Sequence, residues 1–373
     1  MSPVTEYISS SPLLANCGFT KEDVVGNEHE WLKVSAMIKQ HLQLEEENLT
    51  PAQRSRVYQY YLPLAMWIEN LLADHKKTGS QSALVIGISA PQGCGKSTIV
   101  ECLQAVFEGR GVRSVSVSID DFYLTRAEQV ALAEANKGNP LLELRGNAGS
   151  HDNQLGTDTL KQLKGLVEKG ATASVPRYDK SKHSGKGDRA DASEWPAVTG
   201  PIDVVLFEGW MLGFKSIGST RAAAVSPHLP AVDKALTLLE DAWDKFVDVW
   251  LVVKVGDPKW VFKWRLEAEH KMRLTGKPGM SDSEVEDFCN RYMPAYKAYL
   301  PGLYDHGPTT VKPGKSLMIE LDNTRSPVDK QPASLDSVKG AVTDDAKPTS
   351  ASSKANTMAG AELLLLCVLV FLL

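Results

Sequence analysis

The chain has 373 residues, 43% hydrophobic and 23% charged, with 41 Lys and Arg against 46 Asp and Glu for a net charge of -5. That supplies a core for one large domain or two ordinary ones, and the balance argues against a dedicated nucleic-acid binder, which carries a basic stripe. The cysteines Cys17, Cys94, Cys102, Cys289 and Cys367 form no CxxC pair or zinc-spaced Cys/His cluster, so neither a disulfide framework nor a structural zinc is expected and a reducing compartment is.

The N-terminus has no basic start or continuous apolar run of a secretory signal. With Glu6 early and no Arg before residue 24, it is also a poor transit peptide. Residues 1–80 read as a helical segment. Trp31, Val34, Ile38 and Leu42 recur at helical spacing. A second helix is expected from Thr50, with Pro51 at its first position and Gln53 completing a capping box; it would be kinked near Pro63.

From about residue 81 short apolar runs alternate with helical stretches. The runs are Leu84–Ile88, Val115–Ile119, Val204–Phe207, Val249–Val253 and Leu317–Leu321, each reading as apolar on both faces. Helices are expected over Ser97–Phe107, Thr157–Glu168 and Pro258–Leu274. The alternation predicts an α/β fold with a doubly wound, mostly parallel five-stranded sheet over residues 81–325, its ligand beyond the carboxyl ends of the strands. Residues 326–360 are poor in large apolar side chains and read as a disordered linker. The apolar tail, 361–373, has no derivable role. Its run Leu363–Leu373 is shorter than the roughly 20 residues a membrane-spanning helix needs, so no stable insertion is expected.

The strongest chemical signal is Ala90-Pro91-Gln92-Gly93-Cys94-Gly95-Lys96-Ser97-Thr98, placed between an apolar strand and a helix. That context marks a P-loop. Gly93 and Gly95 let successive N–H groups curl around a phosphate at a helix N-terminus. Lys96 would neutralise the β- and γ-phosphates and the Ser97 hydroxyl would ligate Mg²⁺, so ATP and Mg²⁺ are the expected cofactors. Asp120, at the end of the second strand and 24 positions after Lys96, is assigned as the base for a substrate hydroxyl, with Asp121 as its rival. Glu208 ends the run Val204–Phe207 as a Walker-B acid does, holding Mg²⁺ through water or positioning the hydroxyl.

Two polar segments, 144–152 and 176–189, lie between the second and third strands. Arg145, Arg177, Lys180 and Arg189 are candidate clamps for an anionic substrate. Asp121, Tyr123, His151 and Tyr178 complete the candidate acceptor pocket. A basic helical hairpin follows, from Asp257-Pro258 through Arg265 and Arg273 to Gly276-Lys277-Pro278-Gly279, with a further capping box at Ser281 and Glu284. It suits a lid over the phosphates. Alternatively Arg265, Glu269 and Arg273 pair along a solvent face.

The P-loop, the Asp120 segment, Phe207-Glu208-Gly209 and the basic hairpin together resemble the uridine kinase, phosphoribulokinase and pantothenate kinase superfamily. More closely, DDFYLT, RGNAGSHD, PRYDKS, GDRAD, VVLFEGWMLGF, WRLEAE, GKPGMSD and RYMPAYKAYLP resemble the plant-type D-glycerate 3-kinase family over about residues 80–325. The resemblance implies transfer of the ATP γ-phosphoryl to the 3-hydroxyl of D-glycerate, the closing step of photorespiration in chloroplasts. It matches Asp120 to the base, Glu208 to the Walker-B acid, and Arg265 and Arg273 to the lid. A monomer is expected, in the chloroplast stroma by the resemblance, or in the cytoplasm given the N-terminal composition. The alternatives are a kinase for another hydroxylated substrate, such as a nucleoside or a pantothenate-like acid, and a non-catalytic nucleotide-binding module.

Overall fold

The apolar runs at positions 84, 115, 204, 249 and 317 become one sheet in the computed structural model, which describes residues 2–274, 276, 279–333 and 335. In chain order the strands are β1 (Leu84–Ser89), β2 (Ser114–Ser118), β3 (Thr172–Ser174), β4 (Tyr178–Asp179), β5 (Asp188–Arg189), β6 (Ala197–Thr199), β7 (Val204–Gly209), β8 (Val249–Val255) and β9 (Ser316–Leu321). The large sheet runs β2-β7-β1-β8-β9, parallel throughout, while β3–β6 and β4–β5 are two small antiparallel pairs. The chain leaves β1 on one side toward β2 and returns on the other through β8, so the sheet changes direction at β1. In open parallel sheets ligands bind at such a point, beyond the strand carboxyl ends.

Helices cover both faces. On one, Trp31, Ile38, Tyr58 and Ile68 of the N-terminal helices pack with Phe107 onto Ile86, Leu206, Leu251 and Ile319. On the other, Phe122, Trp243 and Tyr296 pack onto Val85, Phe207 and Trp250. The Thr50 capping box forms as expected. The strain expected at Pro63 is absorbed by a π-helical turn over Arg56–Tyr61, a common form of helical adjustment. Pro63 has no N–H for the Gln59 carbonyl four residues back; the Ser11 hydroxyl donates to that oxygen instead, at 2.8 Å.

Four expectations need correction. β2 is an edge strand, so only Val115 and Val117 are buried and its serines are partly exposed; Ile119 has already left it for a 3₁₀ turn. The helix expected over Thr157–Glu168 spans Asn153–Lys164, because Asp152 caps it by accepting from the Leu155 N–H at 2.9 Å. The hairpin's first helix begins at Trp260 rather than Pro258, since the Asp257 carboxylate closes a turn onto the Lys259 N–H first. Residues 326–333, expected as disordered linker, run back along the edge of β9. There Val328 N–H donates to the Glu320 carbonyl (3.0 Å), and the Gln331 amide bonds both backbone groups of Glu320. This covers an otherwise open strand edge. The rest of the expected linker (334 and 336–360), the apolar tail 361–373 with Cys367, and Lys277 and Pro278 of the hairpin lie outside the described residues. Among the described residues no helix is long and apolar enough to cross a membrane.

Candidate active site

Three strand ends build the site. β1 ends in the loop 90–95 and the Lys96–Gly109 helix, β2 ends at Ser118, and β7 carries Glu208, which pairs in register with Ser118 and Ile88. Gly93 and Gly95 have φ of 79° and 102°, the left-handed region that the loop's curl requires. At Gly93 space is as restrictive as φ: a Cβ there would stand 2.7 Å from Trp264 Cβ of the hairpin helix. The Lys96 ammonium and the Cys94 N–H both face the Pro91 carbonyl oxygen, each at 3.4 Å. The Gln92 N–H donates to the Tyr296 hydroxyl (3.0 Å). Burial raises the Cys94 thiol, so it is no thiolate nucleophile. Ala90 and Pro91 are buried, and Thr98 lies in the helix's first turn beside the exposed Ser97.

The two acids after β2 have different surroundings. Asp121 Oδ2 closes a capping box onto the Ser118 N–H (3.0 Å) and lies 3.4 Å from Arg177, and burial raises its carboxyl. Asp120 points to Lys180, whose ammonium donates to it at 2.5 Å. Burial opposes its ionisation, but Lys180 and the Tyr123 hydroxyl hold the Asp120 carboxyl below the usual range. It is therefore ionised and able to accept a proton at neutral pH. Burial raises the Glu208 carboxyl; Lys96 nearby opposes the rise and Asp120 adds to it. Lys96, Asp120 and Glu208 thus share one electrostatic neighbourhood. The Ser97 hydroxyl and Glu208 carboxylate are hard oxygen donors of the kind Mg²⁺ takes alongside phosphate oxygens and water, so the residues present fit that ion.

The acceptor side is a folded-over loop. Residues 122–124 pair with 150–152 through Leu124 N–H to Ser150 O (3.0 Å) and Asp152 N–H to Phe122 O (2.7 Å). Arg189 on β5 bonds Tyr123 O (3.0 Å) and Asp152 (3.1 Å), which pins the β4–β5 hairpin and hence Lys180 over Asp120. Arg145 lies over the Tyr178 ring (5.4 Å) and holds the carbonyls of Gly185 and Lys186, while Tyr178 meets Tyr123 edge-on. Of the four candidate clamps, Lys180 and Arg177 therefore touch the acids, whereas Arg145 and Arg189 fasten backbone. His151 is buried, stacked on Tyr123 at 4.6 Å and edge-on to Trp243, with neither ring nitrogen hydrogen-bonded. Burial holds its imidazole down at about 4, so it is neutral and brings no charge to an acceptor.

Arg265 and Arg273 are not brought to this group. Arg265 pairs with Glu269 (2.5 Å), which is only 2% exposed, and lies over Phe288; Arg273 bonds Asp282 and Met280 O. The pairing is not along a solvent face: Glu269 also accepts from the Met280 N–H (2.8 Å), so these contacts clasp the hairpin's helices Trp260–Leu274 and Asp282–Asn290 together.

Sequence reasoning missed three aromatic side chains of the wall. Tyr292 fills the space beside Gly146, where any Cβ would collide with its hydroxyl, and Trp210 packs against both Tyr292 (5.0 Å) and Tyr296 (5.2 Å) while donating to Gly146 O. The tyrosines stand four apart, Tyr292 at the N-cap and Tyr296 within the helix Met293–His306, a spacing that reads as ordinary core.

A glycine-rich loop at the switch point of a parallel five-stranded sheet, with one acid on the adjacent strand β7 and two more in the turn just beyond β2, defines a P-loop kinase. Residues 85–216 match the phosphoribulokinase/uridine kinase family. The chain is 48% identical over 332 residues to the chloroplastic D-glycerate 3-kinase of Arabidopsis thaliana, covering 88% of this chain and 73% of that protein. It is 38% identical over 255 residues to the uncharacterized kinase mug58 of Schizosaccharomyces pombe, covering 65% and 90%. The solved D-glycerate 3-kinase of Cryptococcus neoformans var. grubii superposes with a TM-score of 0.65 at 34% identity, over 72% of this chain and 97% of that one. The chain belongs to the D-glycerate 3-kinase family, within the phosphoribulokinase/uridine kinase group, and is an ATP-dependent kinase.

Proposed function

We propose that this enzyme transfers the γ-phosphoryl group of ATP to the 3-hydroxyl of D-glycerate, giving 3-phosphoglycerate and ADP. The observation that carries the reading is the pairing of Lys180 with Asp120, beside Arg177 on Asp121: cations stand directly on the acid assigned as base. A small carboxylate substrate needs such cations. A nucleoside needs an open stacking face, and Tyr123 and Tyr292 are 3% and 4% exposed, built into the wall. The names of the Arabidopsis and Cryptococcus relatives support the same acceptor.

In this mechanism the loop N–H groups and Lys96 hold the triphosphate, and Asp120 takes the 3-hydroxyl proton as that oxygen attacks the γ-phosphorus. The γ-phosphorus bond to the bridging oxygen breaks and ADP leaves. Ser97 and Glu208 would hold Mg²⁺, which would supply neutralisation of the charge on the transferring phosphoryl group. Lys180 and Arg177, released from the two acids, face the substrate carboxylate, with Arg145, Arg189, Tyr123, Tyr178 and His151 shaping the pocket. Arg265 and Arg273 set the lid's internal geometry. The enzyme is proposed to act as a monomer, and the name of the plant relative supports the chloroplast, where the reaction would serve photorespiratory carbon recovery.

Purified protein incubated with Mg-ATP and D-glycerate should produce 3-phosphoglycerate, identified by resolving the phosphoglycerate isomers. Formation of the 2-isomer, or turnover of nucleosides but not glycerate, would overturn the assignment.

A further inference from the structure

Arg325 takes no part in the mechanism above, yet it makes three contacts that converge on the phosphate loop. Its Nε–H donates to the Gly93 carbonyl (2.7 Å), its Nη1 pairs with Glu267 (2.9 Å), and its guanidinium lies 5.1 Å from the Trp264 ring centre. Gly93 belongs to the loop; Glu267 and Trp264 belong to the hairpin helix. Trp264 also presses on Gly93 directly and anchors the segment after β9 by donating from its indole N–H to Asn323 O (3.0 Å).

The backbone at Arg325 is held in a place an arginine avoids. Its φ is 66°, in the left-handed region, where a residue with a Cβ is disfavoured. The turn around it enforces that conformation: Asp322 Oδ1 accepts from the Thr324 N–H (2.8 Å), the Thr324 hydroxyl (2.7 Å) and the Ser326 N–H (3.0 Å). An unfavourable conformation kept by a built turn points to a functional constraint at that residue.

The consequence for phosphate binding follows from peptide geometry. In a trans peptide the N–H of one residue points opposite to the C=O of the residue before it. A donor that holds the Gly93 carbonyl therefore also fixes the direction of the Cys94 N–H, which faces the same Pro91 oxygen as the Lys96 ammonium. A glycine with φ near 79° is otherwise free to let that peptide rotate.

We propose that Arg325 is a positioning residue for the nucleotide: it fixes the Gly93–Cys94 peptide so that its N–H stays on the Lys96 side of the loop, where a phosphate oxygen would take the place of the Pro91 oxygen as acceptor, and it ties that peptide to the lid helix through Glu267 and Trp264. The inference rests on the nucleotide role of the loop and is independent of which acceptor the enzyme uses.

The test measures the Kd of a non-hydrolysable ATP analogue, together with KM for ATP and for D-glycerate, in the wild type, Arg325→Ala, Arg325→Lys, Glu267→Gln and the double variant Arg325→Ala/Glu267→Gln. Arg325→Ala should weaken nucleotide binding by about tenfold or more, the scale of a lost charged hydrogen bond, with KM for D-glycerate within about twofold. Added methylguanidinium should restore part of that loss. Arg325→Lys should recover less than the wild type, because one ammonium lacks the planar fork that reaches two partners. Glu267→Gln should add little on top of Arg325→Ala, as residues acting through one contact are not additive. Unchanged nucleotide binding in Arg325→Ala, or equal losses for nucleotide and acceptor without methylguanidinium rescue, overturns the proposal. A wild type that binds the analogue but does not phosphorylate D-glycerate removes the acceptor assignment alone; one that binds no analogue removes the premise here.

Discussion

Lys96→Ala should abolish measurable phosphoryl transfer, a loss of at least about 10²–10³-fold, because a preorganised charge at the developing phosphate charge is worth that much or more. The fold should be unaffected. In the described structure the Lys96 ammonium makes one long hydrogen bond, 3.4 Å to Pro91 O, so little native stabilisation goes with it. Circular dichroism and the melting curve of the variant should overlay the wild type while coupled-assay turnover disappears. Normal turnover in a folded Lys96→Ala protein would remove the phosphate-binding role of the loop.

The second large effect is expected at Asp120. Asp120→Asn keeps the shape of the side chain but exchanges one acceptor oxygen for a donating NH2 and cannot take a proton, and should lower kcat by about 10²-fold or more with KM for ATP little changed. A loss below tenfold would transfer the role to Asp121. That outcome is disfavoured by the partners of the two acids: Asp121 is occupied in capping the turn, whereas Asp120 is held ionised by Lys180.

The same electrostatics sets the expected pH profile. Asp120 lies below the usual carboxylate range, so it stays ionised when the medium is mildly acidic. Glu208 is raised by burial, so as pH falls it protonates first and loses the charge proposed to hold Mg²⁺. The acid limb of kcat/KM should accordingly follow Glu208. Lys96 opposes the rise of Glu208, so in a folded Lys96→Met variant the Glu208 carboxyl should titrate at higher pH than in the wild type, read by NMR of the labelled side chain. A Glu208 titration unmoved in that variant would mean that Lys96 does not govern it.

Much of this protein is written in short stretches of its sequence. The phosphate loop, the existence of five strands and the capping boxes at Thr50–Gln53 and Ser281–Glu284 depend on contacts within a few residues or on local apolar runs, so residue order alone predicts them. The order of polar and apolar positions could not show that β2 would be an edge, nor that residues 326–333 would cover the opposite one. Those outcomes depend on which strands become neighbours.

The site divides along the same line. Sequence reasoning placed Lys96, Asp120 and Glu208 at strand ends because a parallel sheet brings its carboxyl ends together whatever the intervening loops contain. Only the tertiary structure decided that Lys180 meets Asp120 across 60 positions, that Arg265 and Arg273 clasp the hairpin, and that Arg325 reaches Gly93 across 232. A side chain's charge is local information, but its partner is chosen by how distant segments pack, and no periodicity along the chain records that choice.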